Sequence, residues 1–463
     1  MNTSEKEARE LARLKRLQAA HKPAFYLGLV MVVLTIVYIV DEITSNMNST
    51  MQPYALFDLF NIVSRDVNSA EYKHAINVMA PISMVSTFML IVTPFYKALS
   101  DRFGRRIFLM INTCGMGVGM LIVMTSASLV QYIIGMFVMS FFTPNDMQVL
   151  YIMETAPKEK RATFCFWAKG LALMSVSLIG VFTKLFLKPD VTTSWKMVYL
   201  IPVVTALVIG FACWFFVKET PVFLDQRIGY LSLTAEEREA KKATEKKSGE
   251  SENGGVFQAV RYIFKNAQLR WILIAGFLFF VTTVYTSYYA TVLEGSMSTA
   301  DVSTVLMIYP FLNGITTILS GMMSDKLGRK KVCILLGTVT LVGLLVFIFS
   351  CRLGLGPVCA GVAYGISIGG LWSMSDTIIL TMPAESSPST MRASVMGTIS
   401  VLIGAGMFVG QGLFMLCQNF MPMDVVFLII SVPFMLISLL LIMFKVKETR
   451  DVDLENVSAE TFM

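Results

Sequence analysis

Long apolar runs alternate with short polar segments along the whole chain. Twelve of these runs are long enough for a helix that crosses a hydrocarbon core, which takes about 20 residues. They are numbered here as spans 1 to 12: residues 24–46, 75–98, 107–127, 129–155, 163–187, 195–217, 269–293, 302–322, 331–351, 355–384, 393–417 and 424–445. The pattern predicts an all-α polytopic membrane protein with twelve transmembrane helices in two groups of six.

Composition excludes a water-soluble protein of this size. Of the 463 residues, 55% are apolar and 15% are charged, against about 25% charged residues in an ordinary soluble domain. The seven cysteines lie mostly inside apolar runs and there are only two histidines, so we expect neither a metal site nor a disulfide framework. The sequence has no Walker-type phosphate loop and no nucleophile–base arrangement, so we expect no cofactor and no enzymatic activity.

Polar segments set the predicted domain boundaries. Residues 1–23 are charged and carry no small-residue cleavage site, so span 1 is expected to be a retained anchor after a cytoplasmic segment. Residues 218–268 contain a mixed-charge run that cannot bury a core, which predicts a cytoplasmic linker. The predicted domains are therefore an N-terminal six-helix bundle at 24–217, a C-terminal six-helix bundle at 269–445 and a cytoplasmic tail at 446–463.

Lysine and arginine are distributed unevenly between the two sides of the membrane. Of the 38, 31 lie in segments on the side of the N-terminus, six lie in the opposite loops and Lys169 lies within a span. Basic loops stay in the cytoplasm, so both termini are predicted to be cytoplasmic in a multi-pass protein of the cell (plasma or inner) membrane. The basic excess is thus a topological signal, and nucleic acid is not an expected partner.

Three short motifs occur once in each half of the chain, at offsets between 224 and 231 positions. They pair Ser100-Asp-Arg-Phe-Gly-Arg-Arg106 with Ser324-Asp-Lys-Leu-Gly-Arg-Lys330, Glu154-x-x-Pro-x-x-x-Arg161 with Glu385-x-x-Pro-x-x-x-Arg392, and Lys218-Glu-Thr220 with Lys447-Glu-Thr449. A chain built of two similar halves is typical of a secondary transporter.

These motifs resemble those of the major facilitator superfamily, in particular its sugar-porter and organic-solute:proton symporter branches. The similarity extends over residues 24–455 and implies that family's fold, with two pseudo-symmetric six-helix bundles. It also implies a charge network that closes the cytoplasmic side in the outward-facing state and breaks in the inward-facing state. The residues that would form it are Asp101, Arg105, Glu154, Arg161, Asp325, Arg329, Glu385 and Arg392. The alternative is that they are positive-inside charges and turn residues without a gating role.

Ionisable residues inside the spans are candidates for substrate or ion binding, because inserting one costs at least about 2.5 kcal/mol. Asp41 lies in a Tyr-Ile-Val-Asp stretch that resembles the Gly-Tyr-Asp of proton-coupled sugar porters, which implies a carboxyl that binds the coupling proton. Glu42 is its possible substitute. Sugar porters pair that carboxyl with an arginine of span 4, and residues 131–133 at the matching place contain none. A solvated helix end is the alternative interpretation of Asp41.

Lys169 lies eight positions after Arg161, where sugar porters carry a sugar-binding glutamine. A lysine at this place would hold an anionic substrate. Asp146 lies eight positions before Glu154 and hence at a similar depth on the adjacent span, so a structural ion pair with Lys169 is the other interpretation. Asp376 is the counterpart of Asp146 in the second half. Because spans 1, 4, 7 and 10 line the cavity in this superfamily, both aspartates are further candidates.

Span 7 carries Tyr285, Tyr288 and Tyr289 in a stretch that resembles the place where this helix breaks near the outer gate of sugar porters. The tyrosines are either gate or substrate contacts, or part of an interfacial aromatic belt. Most polar residues with which sugar porters bind sugars are absent, since residues 276–281 are apolar and Val284 replaces an asparagine. This argues against a hexose as the substrate.

The sequence thus predicts a secondary active transporter that moves a small polar solute, carboxylated or otherwise charged, by alternating access and proton symport. The expected partners are this small-molecule solute, protons as the coupling ion and the lipid bilayer, and the protein is expected to act as a monomer. Two alternatives stay open, an exporter of amphipathic compounds or drugs and a transporter-like sensor without flux. The repeated gate motifs argue against the sensor, because a protein that does not cycle needs no breakable gate.

Overall fold

The computed structural model confirms the predicted fold class. It describes residues 3–19, 25–64, 66–87, 96, 99–100, 103–156, 161–188, 190–233, 237, 259–388 and 392–450. Over these residues every element of secondary structure is a helix. Ten of the described helices are long and apolar enough to cross a membrane, and they correspond to all predicted spans except spans 2 and 4.

Spans 2 and 4 fall short of this length for different reasons. For span 2 the structure describes the helix Ala70–Thr87, and residues 88–95 lie outside the described residues. Span 4 is interrupted, with helices Leu129–Phe142 and Met147–Thr155 on either side of a single 3-10 turn at Thr143–Asn145. The predicted count of twelve spans is consistent with these segments.

Most other predicted spans coincide with one helix or with two consecutive helices. The bounds are Tyr26–Leu59 for span 1, Arg105–Met124 for span 3, Arg161–Ser175 and Ser177–Phe186 for span 5, Trp195–Val198 and Leu200–Phe216 for span 6, Ala267–Val281 and Val284–Glu294 for span 7, Thr299–Leu327 for span 8, Arg329–Leu353 for span 9, Pro357–Asp376, the π-helical turn Thr377–Thr381 and Met382–Glu385 for span 10, Arg392–Cys417 for span 11 and Met423–Lys445 for span 12. Hydropathy locates these helices well because each must bury its backbone polar groups in its own hydrogen bonds to cross the bilayer.

The helix of span 1 continues well beyond the predicted end of that span at residue 46 and ends at Leu59. The added part contains serine, threonine and asparagine, which lower its hydropathy, yet Thr50 and Ala55 are buried. Polar side chains in the added part have partners inside the protein; Thr50 Oγ1, for example, lies 2.8 Å from Tyr289 Oη. The helix therefore continues where the apolar pattern stops.

The chain forms two compact units that do not follow the two sequence halves. One unit consists of Met1–Asn48, Val85–Ser175 and Lys196–Ser248, and the other consists of Ser49–Met84, Val176–Trp195 and Gly249–Met463. Parts of spans 1, 2 and 5 thus pack with the second half of the chain. The bundle boundaries at 24–217 and 269–445 stay predictions.

The start of the linker is helical and is covered by the N-terminal segment. The helix Thr3–Ala19 lies against the helix Pro221–Ser232, and Leu14 is buried in the apolar cluster between them. Arg227 Nε lies 3.0 Å from Glu10 Oε1. Both helices belong to the first unit.

Candidate functional site

The loop motifs of the first half form a hydrogen-bonded network. The helix ends that carry these motifs are called the motif side, and the opposite ends are called the far side. Arg105 Nε donates to Glu154 Oε1 at 3.2 Å, and Thr220 Oγ1 donates to Glu154 Oε2 at 2.6 Å. Glu219 Oε1 accepts from the backbone N–H groups of Arg105 at 2.9 Å and Arg106 at 3.2 Å. A carboxylate therefore caps the N-terminal end of the span 3 helix, where negative charge is favoured.

The second half repeats the same network with its own residues. Arg329 Nε donates to Glu385 Oε1 at 3.1 Å, and Thr449 Oγ1 donates to Glu385 Oε2 at 2.6 Å. Glu448 accepts from the backbone N–H of Arg329 at 2.7 Å and from that of Lys330 at 3.2 Å. The internal repeat seen in the sequence is thus a repeat of side-chain geometry.

One glycine in each half makes this capping possible. Gly104 has φ 113° and Gly328 has φ 94°, and each precedes the capped helix. A Cβ atom would lie 2.5 Å from Glu219 Oε2 at the first position and 2.5 Å from Glu448 Oε2 at the second. Glycine is required at both for its backbone conformation and for the close approach of the carboxylate.

Glu219 and Glu448 are network members that the sequence analysis missed. Burial raises the pKa of the Glu219 carboxyl, and the backbone N–H groups of Thr220, Arg106 and Arg105 oppose this rise by donating hydrogen bonds to the ionised form. The available signal was the repeat of Lys-Glu-Thr in both halves, which the analysis used for the family resemblance alone.

The other predicted gate residues are described only in part. Asp101 lies outside the described residues, and so do the side chains of Arg161 and Asp325. Arg392 Nη2 donates to the Ser387 carbonyl at 3.4 Å. The network contacts given above each join residues of one sequence half, so the gating role of the eight residues stays a prediction.

Asp41 is buried in the helix of span 1, with 5% of its surface exposed. Gln148 Nε2 donates to Asp41 Oδ2 at 2.9 Å, and Asp146 and Glu42 are close enough to act electrostatically on the carboxyl. The burial argues against a solvated helix end. Gln148 is a partner that the sequence analysis missed, because a neutral amide adds no charge to a span.

The break in span 4 lies directly before Gln148. Pro144 has no N–H group and its ring disfavours a continuous helix, and Asp146 has φ 46°. The side chain of Asn145 donates to the Phe141 carbonyl at 2.8 Å and to Asn112 Oδ1 at 3.1 Å. The break therefore has its own hydrogen-bonded structure.

Span 10 departs from a regular α-helix at the matching place in the second half, where Asp376 is followed by the π-helical turn Thr377–Thr381. Asp146 and Asp376 are both exposed between buried neighbours. Asp376 stands nine positions before Glu385, whereas Asp146 stands eight before Glu154, and a π turn accommodates one more residue than an α turn. Interrupted helices of this kind form substrate and ion sites in other transporters.

Lys169 is half-buried on the helix Arg161–Ser175, with buried residues on either side of it in the sequence. Asp146, its predicted ion-pair partner, belongs to the same compact unit. The substrate-binding interpretation and the ion-pair interpretation both stay predictions.

The three tyrosines of span 7 are buried inside the second unit, each at most 2% exposed. They follow a break at Thr282 and Thr283, between the two helices of the span. Tyr289 Oη, for example, lies 2.8 Å from Thr50 Oγ1. Burial of all three side chains argues against a belt at the membrane surface.

Further contacts on the far side join the first half of the chain to the second. Tyr54 Oη donates to Glu294 Oε2 at 2.7 Å. Asn77 Oδ1 accepts from Gln418 Nε2 at 2.7 Å, and Asn77 Nδ2 donates to Asn419 Oδ1 at 2.8 Å. All of these residues belong to the second compact unit, and the sequence analysis predicted none of the pairs.

Solved structures of similar fold include transporters. The xylose transporter XylE from E. coli in an inward-open conformation matches with a TM-score of 0.67 and 17% identity, covering 93% of this chain and 99% of that chain. A D-xylose-proton symporter matches with a TM-score of 0.65 and 15% identity, covering 92% and 99%. A POT family transporter in complex with 5-aminolevulinic acid matches with a TM-score of 0.60 and 13% identity, covering 90% and 96%. At these identities the likeness concerns the fold.

Sequence comparison gives the family. No curated protein matches the sequence of this chain. The family model described as Major Facilitator Superfamily matches residues 24–410 and 285–461, which is most of the chain. The chain therefore belongs to the Major Facilitator Superfamily and is a multi-pass membrane transporter.

Proposed function

We propose that this transporter moves a small polar solute, carboxylated or otherwise charged, together with protons, by alternating access. The paired networks on the motif side and the far-side contacts around Tyr289 serve as its two gates. The distribution of lysine and arginine supports a protein of the cell membrane with both termini in the cytoplasm. The protein acts as a monomer. Among the structures of similar fold, one is described as a D-xylose-proton symporter, which supports the coupling to protons.

The observation that carries this proposal is the environment of Asp41. Its carboxyl is buried in a span, its hydrogen-bond donor is the neutral amide of Gln148, and two further carboxylates, Glu42 and Asp146, act on it. A buried carboxylate next to other carboxylates gains by taking up a proton. Asp41 is therefore suited to carry the coupling proton, with Glu42 as its substitute.

Lys169 supports a negatively charged solute. Its ammonium group lies within a span, where a charge is costly unless it has a function or a partner. The exposed carboxylates Asp146 and Asp376, at the interruptions of spans 4 and 10, supply hydrogen-bond acceptors. A solute with a carboxylate and neutral polar groups fits this set better than a hexose does, because the sugar-binding polar residues of span 7 are absent.

The experiment begins with a ligand search on the purified protein. Sugars, mono- and dicarboxylates, amino acids, sterol acids and amphipathic cations are screened for a rise in melting temperature, because a ligand that binds the native state stabilises it by mass action. We expect hits among the carboxylates. A hit is then tested for uptake into proteoliposomes, and we expect an inward proton gradient to accelerate it.

Matched variants test the two residues. We expect Lys169→Gln to abolish the carboxylate shift and Asp41→Asn to abolish the response to the proton gradient. Lys184→Gln, on the exposed far end of the same span, and Asp66→Asn, in an exposed loop, are the controls. Hits restricted to sugars or cations would contradict the anion site and leave the ion pair of Lys169 with Asp146 as its explanation.

A further inference from the structure

The pair formed by Asp41 and Gln148 contains two buried oxygen atoms that accept no hydrogen bond from the described residues. Gln148 has no exposed surface and Asp41 is nearly buried. Gln148 Nε2 donates to Asp41 Oδ2 at 2.9 Å. Among the described residues, neither Asp41 Oδ1 nor Gln148 Oε1 has a hydrogen-bond partner. Buried oxygens of this kind are rare, because each lost contact with water costs free energy.

Both oxygens are acceptors while Asp41 is ionised, so neither can satisfy the other. A carboxylic acid has one O–H donor in addition to its acceptor oxygen. An acid and a primary amide can then form two hydrogen bonds at once, with the amide N–H donating to one oxygen and the acid O–H donating to the amide oxygen. A proton on Asp41 would satisfy both oxygens.

We propose that Gln148 is the proton-site partner of Asp41, and that protonation closes a two-hydrogen-bond acid–amide pair between spans 1 and 4. One O–H bond forms at Asp41 Oδ1 as a hydronium ion gives up its proton and becomes water, and the new hydroxyl donates to Gln148 Oε1. Deprotonation leaves only the bond from Gln148 Nε2. The inference rests on the proposed function, which assigns the coupling proton to Asp41. It adds Gln148 as the residue whose hydrogen bonding changes when Asp41 is protonated.

The surrounding charges favour the same change. Glu42 on its own helix and Asp146 on span 4 act electrostatically on Asp41, and both are carboxylates. Protonation of Asp41 removes a like charge from this group. Gln148 is the second residue of the helix Met147–Thr155, which follows the break at Pro144 and Asp146. The pair therefore connects the proton to the interrupted part of span 4.

The test is a pH titration of the full-length protein by infrared difference spectroscopy, with the proton as the probe and no solute present. A protonated carboxyl has a C=O stretching band that a carboxylate lacks. We expect the wild type to gain such a band on acidification and Asp41→Asn to lose it, which assigns the band. We expect Gln148→Met to move the band to higher wavenumber, because the C=O group loses the N–H donor that weakens it.

Gln131→Met is the matched control. Gln131 lies on the first helix of span 4, and its amide interacts with Ala127 and Thr125. We expect the Asp41 band in this variant to stay where it is in the wild type. If Gln148→Met fails to fold, Gln148→Glu takes its place, and we expect the band to persist to higher pH because two carboxyls then share one site.

The outcomes separate the pair from the function on which it rests. A band that Asp41→Asn does not remove means that Asp41 takes up no proton, and both the proposed function and the pair are then wrong. A band that Asp41→Asn removes but Gln148→Met leaves in place keeps the proton site and overturns the pair. For Gln148→Glu, an unchanged titration midpoint overturns the pair.

Discussion

Gly328 is required both for its backbone conformation and for its close contact with the charge network of the second half. It has φ 94°, and a residue with a side chain is held in such a region at a cost of about 1–3 kcal/mol. A Cβ atom there would also lie 2.5 Å from Glu448 Oε2. The Glu448 carboxylate would have to move away from the backbone N–H groups of Arg329 and Lys330 that it caps.

We predict that Gly328→Ala lowers the melting temperature of the purified protein more than Gly356→Ala does. Gly356 has φ 91° and ψ 165°, close to the 94° and 158° of Gly328, but no heavy atom lies within 4 Å of its Cβ position, so its substitution measures backbone strain alone. The difference between the two variants reports the displaced Glu448 carboxylate. Equal melting temperatures would mean that the close approach contributes nothing to stability.

Asp41 and Gln148 show which kind of site residue can be predicted from the sequence and which cannot. A charged residue inside an apolar run is visible in the sequence, and Asp41 was predicted in this way. Gln148 was not, because a neutral amide in a span has many possible partners and only the tertiary structure selects one. Glu219 and Glu448 were missed for the same reason. Their repeat is visible in the sequence, but their role as caps depends on a tertiary contact with the helices that begin at Arg105 and Arg329.

At the scale of whole elements, the interruptions of spans 4, 7 and 10 distinguish this chain from twelve regular helices. Hydropathy predicted where the spans lie, since the apolar runs and the helices share their positions. It did not predict the break in span 4, although Pro144 is in the sequence, because a proline in a span bends the helix or interrupts it according to its neighbours. In this chain the side chain of Asn145 stabilises the interruption, because its amide donates to backbone carbonyls that the interrupted helix no longer satisfies.

We predict that Asn145→Leu destabilises the protein, because the Phe141 and Phe142 carbonyls and the Asn112 side chain lose the amide that donates to them. Leaving one buried acceptor unsatisfied costs about 1–3 kcal/mol. The readout is the melting temperature in detergent.

Asn46→Leu is the control for this substitution. Asn46 Nδ2 donates to the Glu42 carbonyl at 2.8 Å, within an uninterrupted helix that satisfies this carbonyl by its own backbone bonds. We expect a clearly smaller fall in melting temperature for this variant. We also expect Pro144→Ala to recover part of the loss in the Asn145→Leu background, since the backbone N–H at position 144 is restored. No recovery would mean that the break does not arise from the proline.

At the scale of the whole molecule, the far-side contacts join the two sequence halves at several points. Tyr54 with Glu294, Thr50 with Tyr289, and Asn77 with Asn419 all pair a residue of the first half with one of the second. If the transporter works by alternating access, these contacts belong to the state in which the far side is closed. They must then break once in every cycle.

We predict that a covalent link between positions 77 and 419 stops transport. The Asn77 and Asn419 side chains are hydrogen-bonded at 2.8 Å, which places their Cβ atoms farther apart than the ~3.5–4.5 Å of a disulfide. A short, reducible, bifunctional thiol reagent is therefore applied to the double variant Asn77→Cys, Asn419→Cys. Cleavage at a protease site inserted in the polar linker shows whether the two halves remain joined.

The expected result is a loss of proteoliposome transport of more than about tenfold, the scale of a change of about 1.4 kcal/mol in a barrier, with recovery after reduction. Each single cysteine variant, treated with the same reagent, controls for modification of the seven native cysteines and is expected to retain transport.

Linked halves that still transport at the rate of the single variants would mean that the far side need not open. The contacts around Tyr289 would then be permanent packing, and the pathway would have to pass elsewhere. Loss of transport that is reversed by the reductant would instead identify the far side as one of the two gates, because only a contact that opens during the cycle can block it when it is fixed.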